Sequence, residues 1–497
     1  MVWHIIGKDF KLLWPIVIGV ALINLLHRVI LSSVGLFRNA GVPPAVVLSG
    51  MLGTVSLLAT GALIVMVVQQ DALPGLTQDW LVRPIRRRDL LLSKVIFAAL
   101  AVQGPIFLIE LGQCLTAGFP LGPSLAAPLS RSFWMFLAMD LPVLAFAVLT
   151  SSLAQAAGAG IAVVLGFALF TMGTQLYLKP PADLIWVTDS AQVVWGLAGV
   201  GVVLTIQYYR RKTTRARWVY GVTALVWLFV QLLPWQPAFA IEKRLLPEPA
   251  AADGVQIAFD GALGRFYRPA GQAAPLRFLR STPTTDVEVW APLRVSGVSE
   301  GQMLINDTAI VSMILPGGEA IDLGPHGMPI PPDVQRPFHF LIFIPEDIYS
   351  RLKDQRVGVQ IDYSLTLLRA NSAQAIPASG GDRWMDDVGR CSTRTNAGQS
   401  QVELGCLAAG NMPCFTLSLE YAGMIDGPVQ GAGCRSGYAP YFGRVNGDSI
   451  SRFARDFPFV GSQLKDARVV IKAYRPEAHF TRQVVIPDVR LSDWRPE

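Results

Sequence analysis

Four ionisable side chains fall inside runs that are otherwise apolar: His27 and Arg28 in LINLLHRVIL, Glu110 in PIFLIELGQC and Asp140 in FLAMDLPVLA. Charge held in hydrocarbon is costly, so such groups are paired with one another or line a path for something polar. At about 1.5 Å of rise per helical residue, His27, Arg28 and Glu110 lie roughly 24 Å from the ends marked by Lys11 and Lys94, and Asp140 about 13 Å from the end marked by Arg131. All four are therefore expected in one half of a bilayer. One reading is an intramembrane polar patch lining an exit route. The preferred one lets Arg28 and His27 reach toward the headgroups while Glu110 takes an internal partner such as Arg28.

A second set of reactive groups lies in the other half of the chain. Cys391, Cys406, Cys414 and Cys434 crowd one region, whereas Cys114 sits in an apolar run. Their spacings are wide and irregular, without the close pairs that structural zinc favours, so no metal site is expected and two disulfides fit better. Three pairings are open. Disulfides persist in oxidising compartments, which places this half outside the cytoplasm. Other constellations are weak. Gly297-Val298-Ser299-Glu300-Gly301 matches a nucleophile-elbow pattern, but it lies between two β-type runs and reads as a hairpin turn. His326, His339 and His479 belong to no tight metal spacing and read as ordinary surface or core residues. Asn306-Asp307-Thr308 fits a glycosylation sequon, relevant only in a host that glycosylates. No catalytic residue is assigned.

The elements that carry these groups follow from composition. With 497 residues, 52% of them hydrophobic, and a mean hydropathy of +0.40, the chain is too apolar for a soluble globule. Apolar runs long enough to span occur at 12–32, 45–69, 94–118, 132–152, 156–178, 190–208 and 217–238. Residues 1–10 read as a short interfacial helix rather than a cleavable signal. Pro105 and Pro142 are expected to kink their helices. The small residues of Ala154–Gly166 suit close helix packing, or alternatively a seam with a second copy or a partner subunit. From Glu242 the pattern becomes short period-two strands separated by turn residues, an all-β sandwich or two smaller ones. Residues 345–353 read as one helical turn, and residues 372–412, rich in Ser, Gly, Asn and Asp, as a loop that its disulfides hold. The expected fold is thus an α-helical membrane domain of about seven transmembrane helices (1–240) followed by a β-rich domain (241–497).

Cations orient the assembly. Lys8, Lys11, the cluster between Arg83 and Lys94, and Arg210, Arg211, Lys212, Arg215 and Arg217 fall on one side, against Arg38, Arg131 and Lys179 on the other. The positive-inside bias makes the first side cytoplasmic, and an odd number of spans delivers residue 240 to the far side, in agreement with the cysteines. The net charge of +6 is accounted for by topology and lipid headgroups, and no aromatic-interleaved basic surface suggests nucleic acid.

Between the second and third runs lies QQDALPGLTQDWLVRPIRRRDLLLSK. An acidic residue closing one span, a tryptophan, Arg-Pro, a basic turn and a lysine opening the next span resemble the first cytoplasmic loop of ABC-2 type permeases, the membrane subunits of ATP-driven exporters. The matching positions are Asp71, Asp79, Trp80, Arg83, Pro84, Arg86 and Lys94, and the resemblance covers about residues 1–212. It implies a coupling helix that presses on a cytoplasmic ATPase, with Asp79, Trp80, Arg83, Pro84, Arg86, Arg87 and Arg88 carrying the contact. It also implies a dimer of permeases, contact with membrane lipids, and movement of a substrate outward without covalent chemistry on this chain. The chain has no G-x-x-x-x-G-K-[ST], so ATP and magnesium would be bound by the partner ATPase, and no cofactor by this chain. The family commonly has six spans; a seventh, and the β-rich half, depart from it. The competing expectation is a membrane-anchored extracytoplasmic binding or assembly protein without transport. An enzyme acting on envelope polymers has no motif behind it.

Overall fold

A computed structural model describes residues 1–33, 44–70, 86–177, 185–230, 235–245, 249–266, 286–326, 330, 337–396, 401–421, 424–425, 429–430, 434, 449–458 and 466–496. The first half is helical: α1 (Val2–Ser33), α2 (Pro44–Gln69), α3 (Arg87–Phe97), α4 (Gly104–Thr116), α5 (Leu121–Met135), α6 (Leu141–Ala147), α7 (Leu153–Tyr177), α8 (Ile185–Thr205), α9 (Thr213–Val230) and α10 (Trp235–Leu245). Two of the breaks are π-helical turns within continuous spans. Ala98–Gln103 joins α3 to α4 and Phe136–Asp140 joins α5 to α6; a third such turn, Ile206–Arg210, extends α8. The first two stand directly before Pro105 and Pro142. A proline has no amide proton to give, and a wider turn absorbs the missing bond, so the expected kinks take this form.

Among the described residues, six helical stretches are long and apolar enough to cross a membrane: Val2–Ile30, Val47–Gln69, Arg87–Thr116, Leu121–Ala147, Leu153–Phe170 and Ser190–Arg210. The seventh expected run is helical as α9 but is not among them, since Arg215 and Arg217 stand near its start. Residues 1–10 form no separate interfacial helix; α1 is continuous through Pro15. The fourth span begins at Leu121 rather than near 132, because Ser124, Pro128 and Ser132 form a buried face that extends it toward the chain start. The bundle core is made of residues such as Val17, Leu63, Val67, Phe97, Leu144 and Val203, while α7 presents Ile161, Val164, Leu165 and Leu169 outward, as lipid-facing helices do.

The second half is β-rich: β1 (Gln256–Phe259), β2 (Asp286–Ser296), β3 (Gln302–Ile314), β4 (Ala320–His326), β5 (Phe338–Pro345), β6 (Arg356–Pro377), β7 (Gly381–Met385), β8 (Gly389–Asn396), β9 (Gln401–Ala409), β10 (Cys414–Tyr421), β11 (Met424–Ile425), β12 (Val429–Gln430), β13 (Ile450–Pro458) and β14 (Arg468–Arg490), with the expected helical turn as α11 (Glu346–Leu352). Two very long strands, β6 and β14, pair antiparallel from Arg356↔Arg490 to Pro377↔Arg468 and form a spine. A sheet ordered β1-β2-β5 covers one end of the spine sheet, enclosing Val289, Leu293, Phe340, Ile361 and Phe480. A sheet ordered β13-β9-β8-β7 covers the other end, enclosing Val402, Leu404, Phe415, Val469 and Ile471. The half is therefore two sandwiches on one shared pair of strands.

Of residues 372–412, expected to be a loop, the described ones instead complete β6 and build β7, β8 and β9. Apolar positions at every second residue, Val402, Leu404, Cys406 and Ala408, outweigh the turn-forming composition. The Gly297–Gly301 stretch joins β2 and β3, which belong to different sheets, so it is a sheet-to-sheet turn and not a hairpin. Gly297 has φ 78°, and a Cβ there would stand 1.7 Å from the Gly254 carbonyl oxygen, so only glycine fits.

Candidate functional site

Chemistry-bearing side chains gather at the two ends of the helical bundle and at the root of the β-rich half. At the first end, Arg86 is extended and leads into α3, whose first residues are Arg87 and Arg88; all three are exposed. Asp71, Asp79, Trp80, Arg83 and Pro84 lie outside the described residues. The Arg87 guanidinium donates to the carbonyl of Tyr209, at the end of the α8 span. Arg210, Lys212, Arg215 and Arg217 follow directly, and Arg217 donates to the Leu149 carbonyl beyond α6 at 2.9 Å. Chain segments far apart in sequence thus bring their cations to one end. Lys94 is not part of that exposed surface. It is buried one helical stretch inward, where its Nζ donates to Asp9 Oδ2 of α1 at 2.7 Å.

At the opposite end, Glu110 of α4 is 1% exposed and receives three donors. Arg28 of α1 donates at 2.8 Å, Arg131 of α5 donates to the same Oε1, and the Ser449 hydroxyl, just before β13, donates to Oε2. The Gln113 amide also donates to the Arg28 carbonyl, at 3.1 Å. Around this node the β-rich half rests on the α4–α5 turn. Phe119 and Trp384 meet edge to face with centroids 5.6 Å apart, the Arg390 guanidinium donates to the Ala117 carbonyl at 3.3 Å, and Gly410 faces the Ala127 methyl. The β-rich half therefore sits at the end of the bundle away from the basic corner.

The four intramembrane side chains do not form one patch. Arg28 and Glu110 pair. His27 is half-buried, its ring beside Gly53 of α2. Asp140 lies about 28 Å along the span that starts at Leu121, rather than about 13 Å from the start of that span. Its Oδ2 accepts from the Gln103 amide at 2.7 Å. Gln103 and Asp140 each close a π-helical turn, so the two irregular turns meet through this one polar contact. Farther up, Ser56 donates to Asn24 Oδ1 at 2.7 Å between α1 and α2. Among the described residues no group of three or more His, Cys, Asp or Glu is placed to hold a metal.

A third cluster has no signature in the sequence. His479 of β14 is wedged between Glu242 of α10 (Nε2 to Oε1, 3.2 Å) and Asp307 of β3 (Nδ1 to Oδ2, 3.2 Å). Burial opposes the charged imidazolium, but hydrogen bonds from His479 to Asp307 and Glu242 outweigh it and raise its pKa to about 9. Ser364 and Thr366 surround it, and the set contains a serine, a histidine and carboxylates. The Ser364 hydroxyl is buried, donates to Glu242 Oε1 at 2.6 Å and lies 3.4 Å from His479 Nε2, so it is held inside the cluster. What the arrangement does is fasten α10 to the spine strands.

The cysteines form two disulfides, Cys391–Cys406 across the β8–β9 hairpin and Cys414–Cys434 from the start of β10; Cys114 is free and buried. Compared with known proteins, the chain matches no family model and no curated sequence.

Proposed function

We propose that this chain is the membrane subunit of an ATP-driven export complex of the ABC-2 type, working with a separate cytoplasmic ATPase and paired with a second permease. The observation that carries this reading is the separation of two chemistries along the bundle. Arg86, Arg87 and Arg88 open a helix at the basic end, exposed to a partner, while the β-rich half is held at the far end through Glu110. A push on the start of α3 has a continuous path to that far end, because Arg87–Thr116 is one span carrying both Arg87 and Glu110. Its π-helical turn beside Asp140 is the irregular point at which such a span can yield.

A seventh crossing by α9 belongs to this reading. α9 runs antiparallel along α8, with the Gln192 amide donating to the Trp227 carbonyl at 2.9 Å and the Trp195 indole donating to the Thr223 carbonyl at 3.1 Å. Gly199 lets Thr223 approach to where a methyl would collide. On this reading the disulfide-bearing half lies outside the cytoplasm, where its bonds persist. The anchoring alternative needs no cationic helix start at the opposite end.

The test is affinity purification from native membranes. A P-loop ATPase is expected to accompany the wild-type chain and to be lost from Arg86→Glu/Arg87→Glu/Arg88→Glu when that variant is folded and inserted. Retention of the ATPase by the variant, or its absence from the wild type, contradicts the reading.

A further inference from the structure

A cavity of about 340 Å³ opens where the π-helical end of the α8 span meets the first turns of α9, lined by Ile206, Arg210, Lys212, Arg215, Trp218 and Val219. We propose that it binds a phosphate group, supplied by the headgroup of an anionic membrane lipid. The inference needs only that the α8 span crosses a membrane, and it stands apart from any ATPase.

Three observations carry it. The first is charge. Arg210, Lys212 and Arg215 all line the cavity, and the chain from Ser190 to Ile241 carries no Asp or Glu. Three cationic residues lining one cavity suit an anion with several acceptor oxygens, and phosphate takes both the fork of arginine and the point charge of lysine. The second is the mixed lining. Ile206 and Val219 make one wall apolar and belong to helices packed in the bundle, so an acyl chain leaving the headgroup has an apolar surface to follow. Free phosphate has no use for that wall. The third is position. Trp218, 73% exposed, and the exposed Tyr209 flank the site, the aromatic pair expected at headgroup level. The chain reverses at Arg211, which adopts a left-handed conformation (φ 53°), and this tight turn sets Arg210 and Lys212 on the two arms that meet over the cavity. Basic pockets between helices at the cytoplasmic face are a recurrent way of holding anionic headgroups.

The full-length protein in phosphatidylcholine nanodiscs doped with phosphatidylglycerol tests the proposal. Native mass spectrometry after delipidation reads the phosphatidylglycerol retained per chain. Wild type is expected to keep one molecule that Arg210→Gln/Lys212→Gln/Arg215→Gln loses, with retention weakened about fivefold for each cation removed. Ile206→Trp/Val219→Trp, which fills the cavity and keeps every charge, is expected to lose the same molecule and guards against misinsertion of the neutralised variant. Retention unaffected by excess inorganic phosphate supports the lipid as source. Displacement by inorganic phosphate alone overturns the lipid source and leaves a free-phosphate site. Equal retention by the wild type and the cavity-filled variant overturns the site itself.

Discussion

Glu110 is the residue on which most of the molecule converges, since one buried carboxylate takes donors from α1, α5 and the chain entering β13. Removing its charge leaves two guanidinium groups short of their partner, and breaking a buried pair from one side costs about 3–5 kcal/mol. Glu110→Gln is expected to lower thermal stability by that order in detergent, whereas Ser449→Ala, which removes one hydrogen bond to a charge, costs about 1.5–3 kcal/mol; a Glu110→Gln protein as stable as wild type contradicts the node. His479 gives a prediction in pH. Its folded pKa of about 9 lies above the ordinary 6.5, so its stabilisation is fully present below pH 6.5 and is lost as pH rises through about 9. Wild type should lose up to about 3 kcal/mol over that window relative to His479→Gln, followed by chemical denaturation at several pH values; parallel curves contradict it. Of these contacts, Arg28 with Glu110 was legible in the sequence as two charges in apolar runs at matching depth. Arg131 was not, because it reads as the marker of a span's end, and Ser449 lies 339 residues away with no local signal.

Among the elements, the smaller sandwich shows why strand content near the cysteines is hard to read. Gly380, Gly389 and Gly410 all adopt positive φ, and their turn chemistry masks the period-two pattern between them. The Cys391–Cys406 bond closes a short hairpin, with a sequence separation of 15, and a loop of that size contributes about 3 kcal/mol. Cys391→Ser/Cys406→Ser is expected to destabilise the small sandwich by about that amount, with protection of the β8 and β9 amides lost first in hydrogen exchange; unchanged protection contradicts a structural role. The helices were more legible than the strands because apolar length alone marks them, yet the start of the fourth span was not. Ser124 and Pro128 lie before the expected start at 132 and, with Ser132, form a buried helix face. Neither the register shift of β3 between Asn306 and Thr308 nor the shared β6–β14 spine has a local signature, since both depend on pairing between distant segments.

At the scale of the whole molecule, one helical bundle separates a basic end from a β-rich end. Arg87 against Tyr209 and Arg217 against Leu149 gather the first; Ser449 on Glu110 and Trp384 on Phe119 attach the second. Each proposed role follows from those ends facing opposite sides of a membrane: a cytoplasmic partner and an anionic leaflet at one, an oxidising compartment at the other. The free Cys114 is buried, so introduced cysteines can be read against a quiet background. The most direct measurement is labelling of Arg88→Cys and Arg455→Cys by an impermeant maleimide in right-side-out vesicles. The account predicts that Arg455→Cys is modified at once and Arg88→Cys only after permeabilisation; modification of Arg88→Cys in sealed vesicles with Arg455→Cys protected would contradict it.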